Sequence, residues 1–199
     1  MRGSLFILRN SKYAPRMNRR KSGRKRALQE PKPGEWIRPS DFANVVRLTP
    51  LVAIDLIVRS EDGRVLVGRR TNEPAQDFLF VPGSRISKNE TRSAAFKRIT
   101  RDELGFEVSI EQAKFLGAYD HIYPTNRFKK RGFGTHYVTL AYELSLDLDM
   151  SALPRDQHAE YHLLTPAELL RSPEVHQNTK AYVTPSGALA YPSTSPQSR

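Results

Sequence analysis

Hydrophobic positions along the chain fall into short runs with two different periods. Leu51 to Val58 is an almost unbroken apolar run, which reads as a buried strand, and Asp55 is its one charged member. Glu61-Asp62-Gly63 follows as a hairpin turn signal, and Arg64 to Gly68 continue as a second strand. Phe78 to Val81 is a shorter run that stops at Pro82-Gly83. Further strands are expected at about 114–123 and 135–146. In the second of these His136, Val138, Leu140 and Tyr142 alternate with Tyr137, Thr139, Ala141 and Glu143. Asn126 to Gly134 between them is a basic loop, and Ala159 to Leu164 is a further strand.

Helical spacing appears elsewhere. Ser40 is placed to cap a short helix running to Arg47, with Pro50 ending it. Ser87 and Glu90 have the spacing of a capping box, and Ala94, Ala95, Arg98, Ile99 and Asp102 keep a helical period. Gly105 sits where a left-handed residue closes a helix, so a helix is expected over about 88–104. Thr165-Pro166 and Ser172-Pro173 each offer a helix start with proline in the first position. Hairpin-rich strands with one helix in mid-chain predict an α/β or α+β layered domain with a mixed sheet.

Composition changes the picture mainly at the ends. A chain of 199 residues supports one hydrophobic core, and no run of 18 apolar residues predicts a membrane span. Absence of cysteine excludes disulfides, thiolate nucleophiles and Cys-ligated zinc, and fits a reducing cytoplasm. The net charge of +11 suggests a polyanionic partner until its position is read. Residues 1–38 hold 12 Lys+Arg against 2 Asp+Glu, which leaves 20 against 19 in residues 39–199. The expected organisation is therefore a basic, disordered tail over 1–38, a domain over 39–184 and a Pro/Ser-rich disordered tail over 185–199. Nucleic-acid binding is expected only through the first tail, for which Met17 is an alternative start.

The segment Gly83-Ser84-Arg85-Ile86-Ser87-Lys88-Asn89-Glu90, followed by Arg98-Ile99-Thr100-Arg101-Asp102-Glu103-Leu104-Gly105-Phe106, resembles the Nudix box. Glu90, Arg98, Glu103 and Gly105 match it, Ser84 takes a glycine position, and Ile99 replaces a helix glutamate. Positions 99, 102 and 103 share one helical face, where three carboxylates would chelate a hard cation. This chain keeps two. The stretches Asp41 to Val52, Gly68 to Gln76, Phe80-Val-Pro-Gly, Thr135-His-Tyr-Val and Asp156 to Tyr161 look like GDP-mannose mannosyl hydrolases, a Nudix family that lacks the same glutamate.

That resemblance implies a Nudix-type α/β/α sandwich with a mixed sheet, usually dimeric. It implies Mg²⁺-dependent hydrolysis of GDP-mannose, or of GDP-glucose, to GDP and free sugar by inverting C–O cleavage, with Mn²⁺ able to substitute. It would make Glu103, Gln157 and the Gly83 carbonyl the metal ligands and His158 the general base. Asp55 would assist at the sugar, while Arg70 and Arg85 would neutralise the leaving diphosphate. Tyr137, His121 and Phe42 are expected to contact substrate. Ser84 is expected to crowd the loop backbone. The competing expectations are an ordinary Nudix diphosphatase that cuts P–O, and a sugar-nucleotide-binding module without catalysis.

Overall fold

The structure is a computed structural model that describes residues 37–155, 158–184, 186 and 188. The two tails expected from the sequence lie almost wholly outside the described residues.

The apolar run forms β1 (Leu51–Arg59), the organising strand of the sheet. Its side chains alternate between two cores, as a strand buried on both faces requires. Ile54, Leu56 and Val58 join Leu66, Phe96, Ile99 and Leu104 on one side, while Ile57 joins Val67, Phe80, Leu169, Val175 and Tyr182 on the other. Asp55 therefore points to the second side, with Ala53 and Ile57.

β1 turns through Gly63, at a φ of 82°, into β2 (Val65–Arg70), with Arg59 opposite Val65. β2 pairs with β3 (Leu79–Phe80) and with β7 (His158–Leu164), both antiparallel. On its other edge β1 runs parallel to β6 (Thr135–Ser145), and β6 pairs with β5 (Lys114–Tyr123). A strand that the sequence did not announce, β4 (Gly83–Arg85), lies antiparallel to β1, with Gly83 opposite Asp55. Among the described residues these seven strands form one mixed sheet.

Helix α1 (Pro39–Leu48) has proline at its start, so Ser40 lies inside it and not at its cap. Its first turn is braced by Arg38 Nε donating to Asp41 Oδ2 at 2.7 Å. α2 (Arg92–Leu104) begins four residues later than expected. Asn89 has a φ of 62°, which breaks the helix path, and Thr91 accepts from the Ala94 N–H as the true cap. Glu90 still accepts from the Ser87 N–H at 2.9 Å, but as part of a turn. The C-terminus is as expected, with Gly105 at a φ of 89°.

α3 (Pro166–Arg171) has the expected start, a complete capping box between Thr165 and Glu168. Ser172-Pro173 starts no helix. Ser172 instead ends α3, and α4 (Gln177–Lys180) is capped by His176, whose Nδ1 accepts from the Asn178 N–H at 3.2 Å. With α2 on one face of the sheet and α3 and α4 packed on the other, the layers are those of an α/β/α sandwich.

Candidate active site

A cavity of about 250 Å³ opens on the Asp55 side of the sheet. Its floor is made by strand residues: Ala53 and Asp55 of β1, Thr139 and Tyr137 of β6, and His121 and Tyr123 of β5. Gly83, Ser84 and Arg85 of β4 form one wall, Arg70, Phe80, Phe42 and Arg127 line the rest, and the Asn72-Glu73-Pro74 bend closes the rim with a second carboxylate. The structure thus brings together seven residues named from the sequence: Asp55, Arg70, Arg85, Tyr137, His121, Phe42 and Gly83.

β4 exists because Gly83 is bare. A Cβ there would stand 2.5 Å from Asp55 Oδ1 and 2.6 Å from the Ile54 carbonyl. Ser84, expected to crowd the backbone, instead lies in the extended strand opposite Ile54, and its φ is not positive. A serine fits there without strain.

The cavity is rich in positive charge. Arg85 lies over the Phe42 ring at 4.5 Å and Arg127 over the same ring at 5.8 Å. Arg70 lies 5.5 Å from the centre of Phe80, and its Nε is buried without a hydrogen-bond partner. Burial lowers the Arg85 pKa, although a guanidinium remains charged at neutral pH. Arg69, the neighbour of Arg70 on β2, is instead committed to ion pairs with Glu160 and Glu174. Three guanidinium groups around one small cavity suit a multiply charged anion.

Asp55 is the carboxylate on this floor. Burial pushes its pKa from 3.8 up to about 7, against the Tyr182 hydrogen bond and the charge of Arg70, which pull it down; Glu103 adds to the rise. Tyr182 donates its hydroxyl to Asp55 Oδ2 at 2.7 Å. The Tyr182 hydroxyl oxygen also lies 3.2 Å from His121 Nε2, and His121 Nδ1 lies 3.2 Å from the Thr139 hydroxyl. Burial presses the His121 pKa down to about 4, so its ring is neutral at pH 7. Burial pushes the Tyr137 pKa up, so its hydroxyl keeps its proton at neutral pH.

Glu103 and His158 do not line the cavity. Glu103 comes from the buried face of α2, is 1% exposed and lies near enough to Asp55 for its charge to raise the Asp55 pKa. Both of its carboxylate oxygens are buried without a hydrogen bond, and Oε2 lies 3.3 Å from His158 Nε2. His158 is itself 3% exposed and is seated over Gly68, where a Cβ would come within 2.5 Å of the imidazole. A buried carboxylate that makes no hydrogen bond and has only the His158 ring beside it fits a hard cation as a further partner. Gln157 lies outside the described residues. Among the described residues no three His, Asp or Glu side chains gather as a metal cluster. Ile99 is in the α2 core, and Asp102 is 48% exposed beside Arg98 and Arg101.

The rest of the segment is a brace. Arg98 donates to both oxygens of Glu90, at 2.7 and 2.9 Å, and to the Arg85 carbonyl at 3.0 Å. These bonds tie β4 to α2 and fix the strand that walls the cavity. His136 faces Asp120 at 3.5 Å away from the cavity lining, and His162 lies 3.4 Å from Glu160.

Sequence reading missed Tyr123, Thr139, Arg127 and Tyr182. Arg127 stood within a recognised basic loop, held in shape by buried Asn126, whose amide donates to the carbonyls of Lys130 and Phe133. Nothing in Ala181-Tyr182-Val183 marked Tyr182.

Comparison with known proteins agrees with this geometry. The NUDIX domain model matches residues 49–186. The low-salt glycan biosynthesis protein Agl8 of Haloferax volcanii is 38% identical over 139 residues, which cover 69% of this chain and 85% of that protein. The solved MutT NUDIX hydrolase from Burkholderia pseudomallei matches 66% of this chain and 94% of its own, with a TM-score of 0.51. At 23% identity that likeness speaks for the fold alone.

Proposed function

The chain belongs to the NUDIX hydrolase family, and on that premise we propose that it hydrolyses a nucleoside-diphosphate sugar, GDP-mannose first, by inverting cleavage of the bond between the anomeric carbon and the diphosphate oxygen. The observation that carries this reading is the pairing of three guanidinium groups with one buried carboxylate in a single cavity. A diphosphate held by Arg70, Arg85 and Arg127 leaves its sugar over Asp55. The name of the Haloferax relative, a glycan biosynthesis protein, supports a sugar-bearing substrate.

A diphosphate is a good leaving group when its charge is met, so this reaction needs cations more than a general acid. Glu103, the Gly83 carbonyl and Gln157 are the oxygens proposed to hold Mg²⁺, which when bound supplies further positive charge to the diphosphate. With Ile99 in the core, only one carboxylate is committed to that task, which favours C–O over P–O cleavage. Asp55 faces the sugar and stabilises positive charge as it develops at the anomeric carbon. His158 takes the proton of the attacking water. To do so its ring must leave Glu103 and turn toward the cavity.

Hydrolysis in ¹⁸O-labelled water tests the reading. Label in the free sugar is the expected result. Label in phosphate would replace it with an ordinary diphosphatase, and absence of turnover across a nucleotide-sugar panel with Mg²⁺ would replace it with a binding module.

A further inference from the structure

We propose that Tyr182 is a positioning residue of this active site: its hydroxyl joins Asp55 and His121 in one directional hydrogen-bond chain and so fixes which carboxylate oxygen faces the substrate. Tyr182 comes from the turn after α4, 127 positions along the chain from Asp55, and its side chain is fully buried. It does not line the cavity, whereas Asp55 and His121 both do.

The direction of the chain follows from its donors. Ionised Asp55 has only acceptors, so the Tyr182 hydrogen goes to Oδ2. The Tyr182 oxygen is then left to accept, and the atom facing it is His121 Nε2 at 3.2 Å. Neutral His121 must therefore carry its proton on Nε2. Nδ1 is then an acceptor, and it faces the Thr139 hydroxyl, which donates. The direct approach of His121 Nδ1 to Asp55 Oδ2 is 3.9 Å, beyond hydrogen-bond reach, so coupling between the two cavity residues runs through the phenol.

The arrangement has two consequences at the floor. Oδ2 of Asp55 is occupied, which leaves Oδ1, the oxygen beside bare Gly83, to meet the ligand. The His121 ring has both nitrogens engaged, so it presents a neutral, fixed edge to the cavity. Burial raises the Tyr182 hydroxyl well above its usual range, which keeps it a donor. The ring is held edge-on by Tyr119 at 4.8 Å, so removal of the hydroxyl leaves the packing in place.

The kinetic arm of the test rests on the function proposed above; the spectroscopic arm does not. Long-range ¹H–¹⁵N correlation of the His121 ring at pH 8.5, where Asp55 is ionised, should show the Nε2-H tautomer in the wild-type protein. A proton on Nδ1 overturns the proposal. In Tyr182→Phe the ring should move to a mixture of tautomers, and an unchanged spectrum overturns it. With a substrate that is turned over, Tyr182→Phe should lower kcat by about 10–100-fold, the scale of one hydrogen bond to a charged group. KM should stay within about twofold. Unchanged kcat overturns the proposal. If the wild-type protein turns over no nucleotide sugar, the functional reading fails and the tautomer decides this one. Thr139→Val, at the other end of the chain, should leave Tyr182 on Asp55 and the proton on Nε2; a move of the proton to Nδ1 in this variant would make Thr139 the residue that sets the tautomer and overturn the proposal.

Discussion

The loop-and-helix segment 83–105 and the cavity floor touch along β4, yet they treat charge in opposite ways. In the segment Glu90, Arg98, Arg101 and Asp102 each meet an opposite charge. Glu90 is bidentate to Arg98, and Asp102 lies between Arg98 and Arg101. On the floor a carboxylate is matched by a phenol, a histidine is kept neutral, and an arginine nitrogen is buried with no partner. The first pattern is that of a scaffold, in which paired charges add rigidity. The second is that of a site with interactions left over for a ligand. Glu103 departs from that pattern, since it lies on the scaffold helix but has the orphaned oxygens of a site residue.

The largest expected effects come from the site. His158→Gln and Asp55→Asn should each lower kcat by about 10²–10⁴-fold, the usual scale for a general base, while Asp102→Asn should change it by less than about threefold. Steady-state kinetics on the three variants tests the contrast. If Asp102→Asn costs as much as the other two, the division between scaffold and site is wrong. If only Asp55→Asn has a large effect, the base role passes from His158 to Asp55, which already lines the cavity.

Next comes the scaffold. Arg98→Met leaves Glu90 part-buried and unpaired and should cost about 2–3 kcal/mol of stability in urea unfolding. An unfolding midpoint within error of wild type would show that β4 is held by other means.

A smaller effect separates the two regions by pH. Between pH 3.8 and about 7 the folded protein holds a proton on Asp55 that the unfolded chain has lost, so this group's contribution is full below 3.8 and is lost as pH rises through 7. His121 acts in the other direction. Its folded value of about 4 lies below the ordinary 6.5, so its contribution is present above 6.5 and is lost as pH falls through 4. In the wild-type protein the two slopes oppose each other. Asp55→Asn removes one, so stability of the variant should rise from pH 4 to 6.5 relative to wild type. Parallel pH profiles for the two proteins would count against the raised Asp55.

Smallest of all is Ser84→Gly. The strand accepts serine without strain, so restoring glycine should change kcat by less than about twofold, and a tenfold gain would revive the idea of a crowded loop.

Much of this was legible in the sequence because two regular periods carried it. β1 was visible as an apolar run, and Asp55 stood out as a charge that such a run does not bury without a reason. α2 was visible from its spacing and its closing glycine. Its start was misplaced because Ser87 and Glu90 have capping spacing, whereas Glu90 is committed to Arg98, a partner eight residues away. β4 was invisible because Gly-Ser-Arg has no strand signature. It forms only because β1 offers it an edge and Gly83 leaves room. Tyr182 was invisible for a related reason. Its role depends on a contact across 127 positions, and no local pattern reports such a contact.

The seat of His158 over Gly68 has a consequence for how this family of sequences can vary. A methyl group at position 68 and an imidazole at position 158 claim the same volume. The two positions are therefore one choice made twice. Relatives that keep the ring should keep the glycine, and a lineage that lets residue 68 grow should have already given up the histidine. A collection of related sequences read at those two columns alone would separate chains that retain this imidazole from chains that have kept the fold and lost it.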